Sequence, residues 1–458
     1  MTKSLFVLAL MCSLATCILV GTSTHAAYTF NSVLDHFSSS YLESYLKFKQ
    51  VCQAASGYAY SEYQLPYLKG VSGEDLFMSV CFQQDKATQL KNAAESNVFI
   101  TYSGTHGVEG FMGSAVQISL IRNETSRGYI LPTNTYALHI HMLNPYGASY
   151  FYKENENNVD LLKNINTHYK DFSSWNVSGN VILEQFIDSL NIPQIHLPQV
   201  AAQAQNAFMT MIQRYGMNGF TYASVVGQKT RPEGISYTGA RDEWTTTTVQ
   251  SILSTYVKSF SSPNLKRRRI VLVDIHTAVG AFGGIYAMYE SNELEFAKMF
   301  LHPDSIHLNL FPNPPGHNPG YYLKEYSHLS EATSANVSIL SSAWEVGTYP
   351  QDQFQNYLIS QLNCRFYPNV PTSERPAQVC PYIYQQVREY FYPQSDDWKH
   401  WGFGNITEGM RTTLKGMETW RKTDGTNIVN ASSSMLLISF QNMMAMFVLV
   451  VLTFVMTL

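Results

Sequence analysis

A histidine and a glutamate three residues apart, His106 and Glu109, lie in the glycine-rich stretch Tyr102-Ser-Gly-Thr-His-Gly-Val-Glu-Gly110. An imidazole nitrogen and a carboxylate at that spacing can reach one metal ion. On its own His-x-x-Glu is a weak pattern, and a surface turn carries it by chance more often than a site does. A second stretch changes the balance. Arg269-Ile-Val-Leu-Val-Asp-Ile-His276-Thr-Ala-Val-Gly280 reads as an apolar strand that ends in Asp274 and His276. His276 supplies a third donor. Three protein ligands with one position left open is the arrangement of a catalytic zinc site, and two imidazoles plus a carboxylate suit zinc better than calcium or magnesium. Asp274, two residues earlier on the strand, shares the face of His276 and is placed to orient it from behind. A third stretch, Ala343-Trp-Glu345-Val-Gly-Thr348, puts a carboxylate where a strand meets a glycine turn. A general base beside an activated water needs that placement.

Three strands that each end in a ligand or base require one sheet with its C-terminal edges together. Open α/β sheets put their ligand sites there. The apolar runs Leu76–Phe82, Val98–Ser103, Tyr136–His141, Arg269–Ile275 and Val337–Trp344 read as strands. Helical periodicity marks Tyr41–Gln53, Phe111–Arg122, Gln199–Arg214, Thr245–Phe260, Glu293–Leu301, Asp352–Leu362 and Gln378–Tyr390. Asn309–Tyr322, rich in proline and glycine, reads as a long loop. The alternation predicts one large α/β domain, with a mixed, mostly parallel twisted sheet flanked by helices. His139 and His141 lie two apart on one strand and read as structural or supporting residues of the site.

Both ends look like processing signals. Residues 1–27 carry Lys3, an apolar run and small residues ending near Ala26, which is the pattern of a secretory signal peptide; a retained N-terminal anchor is the rival reading. Residues 426–458 hold small residues around Asn430-Ala-Ser432, a spacer, and the uncharged tail Met443–Leu458. That order matches a GPI-attachment signal, with a transmembrane helix as the alternative. Between them, 28–425 forms the catalytic domain. These ends predict an extracellular, cell-surface protein joined to the membrane by a lipid anchor or a helix. Net charge −4 with 14% charged residues gives no basic footprint for nucleic acid. The cluster Lys266-Arg-Arg-Arg269 reads as a solvated loop. Cys52, Cys81, Cys364 and Cys380 remain after the leader, enough for two disulfides; local pairing joins Cys52 to Cys81 and Cys364 to Cys380, although three pairings are possible. Sequons at Asn123, Asn176, Asn336, Asn405 and Asn430 predict a glycoprotein surface.

The order His106-Gly-Val-Glu-Gly-Phe111, Asn144-Pro-Tyr-Gly147, Val159-Asp-Leu161, Asp274-Ile-His-Thr277 and a late Glu345-Val-Gly-Thr348 resembles the zinc carboxypeptidase superfamily, in particular its carboxypeptidase-like branch with His-Gly-Val-Glu-Gly and Glu-x-Gly-Thr. Arg231-Pro-Glu-Gly-Ile-Ser-Tyr-Thr-Gly239 is a further match, and the resemblance runs from about Phe37 to about Leu414. It implies zinc held by His106, Glu109 and His276. It implies Glu345 as the base that activates water and then protonates the leaving amine. It places Lys163, Lys153 and Asn144 at the substrate, and His141 and Asp274 behind the ligands. The chain departs from the pattern at the substrate clamp. Where the superfamily reads Asp-Leu-Asn-Arg-Asn, this chain reads Asp160-Leu-Leu162-Lys163-Asn164, and a second basic position reads Lys153. Lysine keeps a charge but loses the planar two-pronged fork of arginine. Three functions fit: a peptidase, an N-acyl amino acid deacylase using the same site, and a surface-displayed binding protein on a decayed enzyme scaffold.

Overall fold

Strands that alternate between two apolar layers build the molecule. The structure is a computed structural model. It describes residues 28–122, 131–165, 177–189, 206–216, 223–224, 227–260, 262–289, 297, 308–312, 336–349 and 379–419. The chain divides into Met1–Asn31 and Ser32–Leu458, and the fold described here belongs to the second unit.

Among the described residues, eight strands form one sheet: β1 (Ala59–Lys69), β2 (Asp75–Phe82), β3 (Asn97–Ser103), β4 (Thr135–His141), β5 (Arg267–Ala278), β6 (Ile285–Tyr289), β7 (Leu308–Pro312) and β8 (Asn336–Gly347). Their order is β1-β2-β4-β3-β5-β8-β6-β7. The central run β4-β3-β5-β8 is parallel throughout, with antiparallel pairs at β1–β2, β2–β4 and β6–β8. Every residue of β3 and β4 is buried, as expected of strands covered on both faces.

Two layers do the covering. Phe99, Val271, Val273 and Ile275 point into a core shared with Phe111, Met112, Ala115 and Val116 of helix α1 (Gly110–Ile121). Val98, Ile100, Tyr102, Ile270 and Leu272 point the other way, onto Val249, Ile252 and Leu253 of helix α2 (Trp244–Tyr256). The period-2 alternation along each strand decides which layer a side chain enters. It leaves the strand ends as the place where polar side chains can emerge without cutting into either core.

The Lys266–Arg269 cluster is not a solvated loop. Arg267 opens β5, and Arg268 and Arg269 are buried. The Arg268 guanidinium donates to the carbonyls of Ser96 (3.0 Å), Val257 (2.7 Å) and Phe260 (3.0 Å), while Arg269 pairs with Glu95 at 2.5 Å. Carbonyls converging at the N-terminal end of the sheet need donors, and the fixed fork of arginine supplies several from one side chain. Leu308–Pro312 is likewise a strand, although the reading of Asn309–Tyr322 as a loop began inside it; 313–322 lie outside the described residues.

Cys52 and Cys81 form the local disulfide, 29 residues apart in sequence. Cys364 and the side chain of Cys380 lie outside the described residues. Closing a loop of that size removes unfolded-state entropy worth about 2–4 kcal/mol. The double variant Cys52→Ala/Cys81→Ala is therefore expected to lose about 2–4 kcal/mol in a urea titration; an unchanged midpoint would show that the bridge adds nothing.

His139 and His141 are pinned inside one layer. His139 Nδ1 lies 2.8 Å from Thr101 Oγ1. His141 stacks on Phe48 with ring centroids 4.3 Å apart, and its Nε2 meets Ser44 and Ser114 hydroxyls at 3.1 and 3.0 Å. Burial pushes both imidazoles down to about 3. Unfolded histidine titrates near 6.5, so between these values the unfolded chain binds more protons. Their stabilising effect is complete above pH ~6.5 and shrinks as pH falls toward 3. Between pH 7 and 5 the pair is expected to cost on the order of 2–4 kcal/mol, read from denaturant midpoints at the two pH values. A pH-independent midpoint across that window would mean that the rings titrate in the folded protein as they do in the unfolded chain.

Candidate metal centre

The central parallel strands deliver the chemistry to one edge. β3 ends at Ser103, and Gly104 follows with φ +70°, a left-handed conformation that a side chain disfavours. His106 is extended (φ −98°, ψ 119°), and a single 3₁₀ turn, Gly107–Glu109, folds Glu109 back toward it. Gly107 has no room for a side chain, since an added Cβ would meet the Gly147 carbonyl carbon at 2.1 Å. That close approach lets Gly107 N donate to Lys153 O (3.1 Å) and Val108 N to Tyr152 O (2.9 Å), which ties the His-Gly-Val-Glu turn to the segment bearing Lys153.

His276 comes from the end of β5, and Glu345 stands directly opposite it on β8. Paired residues of parallel strands project from the same face, so both emerge beside the His106–Glu109 turn. His106 Nδ1 lies 2.9 Å from Glu109 Oε1 and 3.2 Å from His276 Nδ1, and His276 Nδ1 lies 3.1 Å from Glu109 Oε2. All three residues are buried. Among the described residues this is the one His/Cys/Asp/Glu group whose donor atoms converge, all within 4.8 Å of one another.

The trio fits zinc on donor chemistry and on spacing. Ligands bound tetrahedrally at about 2.0–2.2 Å stand roughly 3.3 Å apart, close to the separations found here. Two imidazole nitrogens facing each other at 3.2 Å repel through their lone pairs unless a proton or a cation lies between them. Thr277 N donates to Glu109 Oε2 at 3.0 Å, fixing one oxygen and leaving Oε1 toward the histidines.

Each of the two histidines has a carboxylate beside its other nitrogen. His276 Nε2 lies 2.9 Å from Asp274 Oδ2, at ion-pair distance but outside hydrogen-bond alignment. His106 Nε2 lies 3.2 Å from Asp160 Oδ1. The other oxygen of Asp160 takes Lys153 Nζ at 2.7 Å and Lys163 Nζ at 2.5 Å. Burial alone would raise Asp160, but the two ammonium groups and His106 outweigh it and hold the carboxyl well below its ordinary range. Glu109 is also held low: burial opposes, and the His106 and His276 rings prevail. Burial works against a charged His276, yet Asp274 and Glu109 raise it well above the usual imidazole value. Glu345 goes the other way. Burial first, then the Glu109 charge, push it up to about 8. Val279 N, 3.5 Å from its Oε2, is its nearest backbone donor. A carboxyl poised near neutrality can both accept and return a proton.

The profile of the family described as "Protein of unknown function (DUF2817)" matches residues 37–402. The chain belongs to the DUF2817 family. A search of the curated proteins finds no match. Among solved structures, carboxypeptidase A from Helicoverpa armigera is similar at 11% identity, covering 88% of this chain and 78% of that one, with a TM-score of 0.37. A metallo-carboxypeptidase from Burkholderia cenocepacia is 8% identical over 82% of this chain and 69% of that one, TM-score 0.38. The succinylglutamate desuccinylase from Chromobacterium violaceum is 11% identical over 78% of each chain, TM-score 0.28.

In this DUF2817 chain the structure brings His106, Glu109, His276 and Asp274 together, with Lys153 and Lys163 on Asp160 beside them. It does not bring His141 there; that ring bonds Ser44 and Ser114 within the layer under the sheet, as described above. Asn144 is spent on backbone: its Oδ1 accepts from Gly147 N at 2.8 Å, capping helix α3 (Pro145–Tyr150), and its Nδ2 donates to Lys153 O at 3.2 Å. Both ends of its amide are thus engaged by backbone, one of them at Lys153. Arg231 pairs with Asp188 and Glu233 at 2.5 Å each, away from the trio, while Tyr237 of the same motif accepts Asp160 N at 2.8 Å. Asn405 donates its side-chain nitrogen to Gly283 O at 2.8 Å from inside a helix, so the atom a glycan would occupy is committed. Asn123, Asn176 and Asn430 lie outside the described residues; so does the side chain of Asn336. Residues 1–27 and 426–458 lie outside them too, and among the described residues no helix is long and apolar enough to cross a membrane.

Asp160 is the residue that sequence reasoning missed. Its signal was present: one acid two residues after Asn158 and three before Lys163. Its role exists only in three dimensions, where Lys153, Lys163 and His106 meet it.

Proposed function

We propose that this chain is an extracellular, zinc-dependent hydrolase of amide bonds, joined to the membrane by a C-terminal lipid anchor, acting on a peptide or an N-acyl amino acid. The observation that carries the reading is the convergence of His106, Glu109 and His276 donor atoms within 4.8 Å, with Glu345 paired opposite His276. His106, Glu109 and His276 would hold the metal, and Asp160 and Asp274 would fix the two rings from behind. A zinc ion there supplies Lewis acidity, which polarises a carbonyl and makes a water acidic near neutral pH.

Glu345 takes the proton of the attacking water and delivers it to the leaving nitrogen. Lys153, the more exposed of the two lysines and within the electrostatic reach of both Glu109 and Glu345, faces the negative charge that develops on the carbonyl oxygen. His106, Glu109, His276 and Glu345 are all buried, which strengthens the interactions among their charges.

The departure at the clamp favours the deacylase form of the reading. Lys163 is buried and already engaged by Asp160, and Leu162 is buried as well, so neither offers a two-pronged grip on a chain-terminal carboxylate. Zinc content by atomic absorption, followed by hydrolysis of a panel of N-acyl amino acids and C-terminal peptides, tests this. One zinc per chain and preferential cleavage of acyl amides are expected. A folded protein without zinc would overturn the reading, and zinc without turnover on the whole panel would favour a surface-displayed binding protein.

A further inference from the structure

We propose that Thr105 is a positioning residue of the metal centre, acting through Asp274 on His276; the inference rests on the reading of the His106–Glu109–His276 trio as a metal site. Thr105 is fully buried, and its hydroxyl oxygen lies 2.9 Å from both Oδ1 and Oδ2 of Asp274. Asp274 is fully buried as well. Among the described residues its side chain meets two groups, the Thr105 hydroxyl and the His276 ring.

A buried carboxylate needs donors, and the direction of the donors sets its plane. With a single hydroxyl spanning both oxygens, Asp274 is held from one side by Thr105 and offers Oδ2 to His276 Nε2 from the other. A His276 that binds metal through Nδ1 must carry its proton on Nε2, and the carboxylate is what favours that tautomer. The chain of control therefore runs from a hydroxyl, through a carboxylate, to a ring nitrogen. The donor also sits immediately before His106, so one short segment fixes both histidines: one directly, the other from behind.

Valine matches threonine in shape and lacks the hydroxyl, so Thr105→Val removes the donor alone. Loss of a partner behind a metal ligand weakens metal binding about 10–100-fold, and the weaker end, about 10-fold, is expected one step further back. Zinc affinity is measured by chelator competition on the full chain. The solvent exchange of the His276 Nε2 proton is measured on metal-free protein by NMR. Thr105→Val should bind zinc about 10-fold more weakly and exchange the His276 Nε2 proton faster. Thr105→Ser, which restores the hydroxyl, should return both to wild type. In an Asp274→Asn background the Thr105→Val change should have no further effect. Equal zinc affinity and an unchanged exchange of the His276 Nε2 proton in Thr105→Val would overturn the proposal. So would a Thr105→Ser variant as impaired as the valine, or a full 10-fold effect persisting without Asp274. If Thr105→Val does not fold, Thr105→Ala takes its place under the same criteria. If the wild-type protein binds no zinc, the metal reading itself fails, and the proton-exchange measurement still decides whether Thr105 controls His276.

Discussion

Glu345→Gln is expected to lower amide hydrolysis by about 10²–10⁴-fold while leaving zinc content unchanged. The glutamine keeps the size of the side chain and its contact with Val279 N, but it cannot accept a proton from water. Zinc is retained because Glu345 is not among the three converging donors. The comparison is made at equal zinc occupancy, by steady-state rates on the best acyl amide from the panel. Activity within tenfold of wild type would mean that another group is the base. Loss of zinc together with activity would mean that Glu345 is a ligand and the trio is incomplete.

Asp160→Asn is expected to destabilise the fold by about 3–5 kcal/mol, the usual penalty for stranding buried charge. Asp160 is the shared counter-ion of Lys153 and Lys163, whose ammonium groups lie 2.7 and 2.5 Å from one oxygen. Remove its charge and two buried cations face each other. The same change frees the Nε2 side of His106, so zinc affinity should fall about 10–100-fold. Denaturant unfolding and chelator competition give the two numbers separately. Adding Lys163→Met to Asp160→Asn should recover much of the stability, since it removes one of the stranded charges, but none of the zinc affinity. A cost under about 1 kcal/mol for Asp160→Asn alone would show that the cluster is solvated and the argument from burial fails.

The centre was legible in sequence because its parts sit at the ends of buried parallel strands. Such strands read as unbroken apolar runs, so polar residues that terminate them, His276 and Glu345, stand out. The five strands expected from apolar runs all form, each with slightly extended ends. Helices Tyr41–Ala54, Gly110–Ile121, Trp244–Tyr256 and Val379–Phe391 form near their expected bounds, and 206–216 is helical, overlapping the expected Gln199–Arg214 stretch and running past its end. Glu293–Leu301 and Asp352–Leu362 fall largely outside the described residues.

What escaped notice has a common cause. β1 holds Pro66 and four tyrosine or glutamate positions on an edge, where pairing with one neighbour tolerates a pattern that an interior strand would not. The long helix Asp396–Thr419 contains four glycines, yet it folds because Trp398, Phe403, Ile406 and Met410 find a core already built by distant strands. Arg268 looked like a surface charge because its partners are carbonyls, which leave no mark in a sequence. Asp160 was missed for the same reason: its meaning lies in which cations fold back upon it.

The unbroken pairing of β5 with β8, from Arg267 opposite Asn336 to Ala278 opposite Gly347, carries a further consequence. Residues 276 and 345 meet only when the two strands are in this one alignment. A slip of one position would turn Glu345 into the opposite layer, and a slip of two would carry it about 6.6–6.8 Å along the strand, beyond any proton transfer. Partial alignment therefore earns no partial chemistry. The centre acts as a proofreader of the sheet: a molecule that turns over substrate has, by that fact, brought two segments far apart in sequence into correct register.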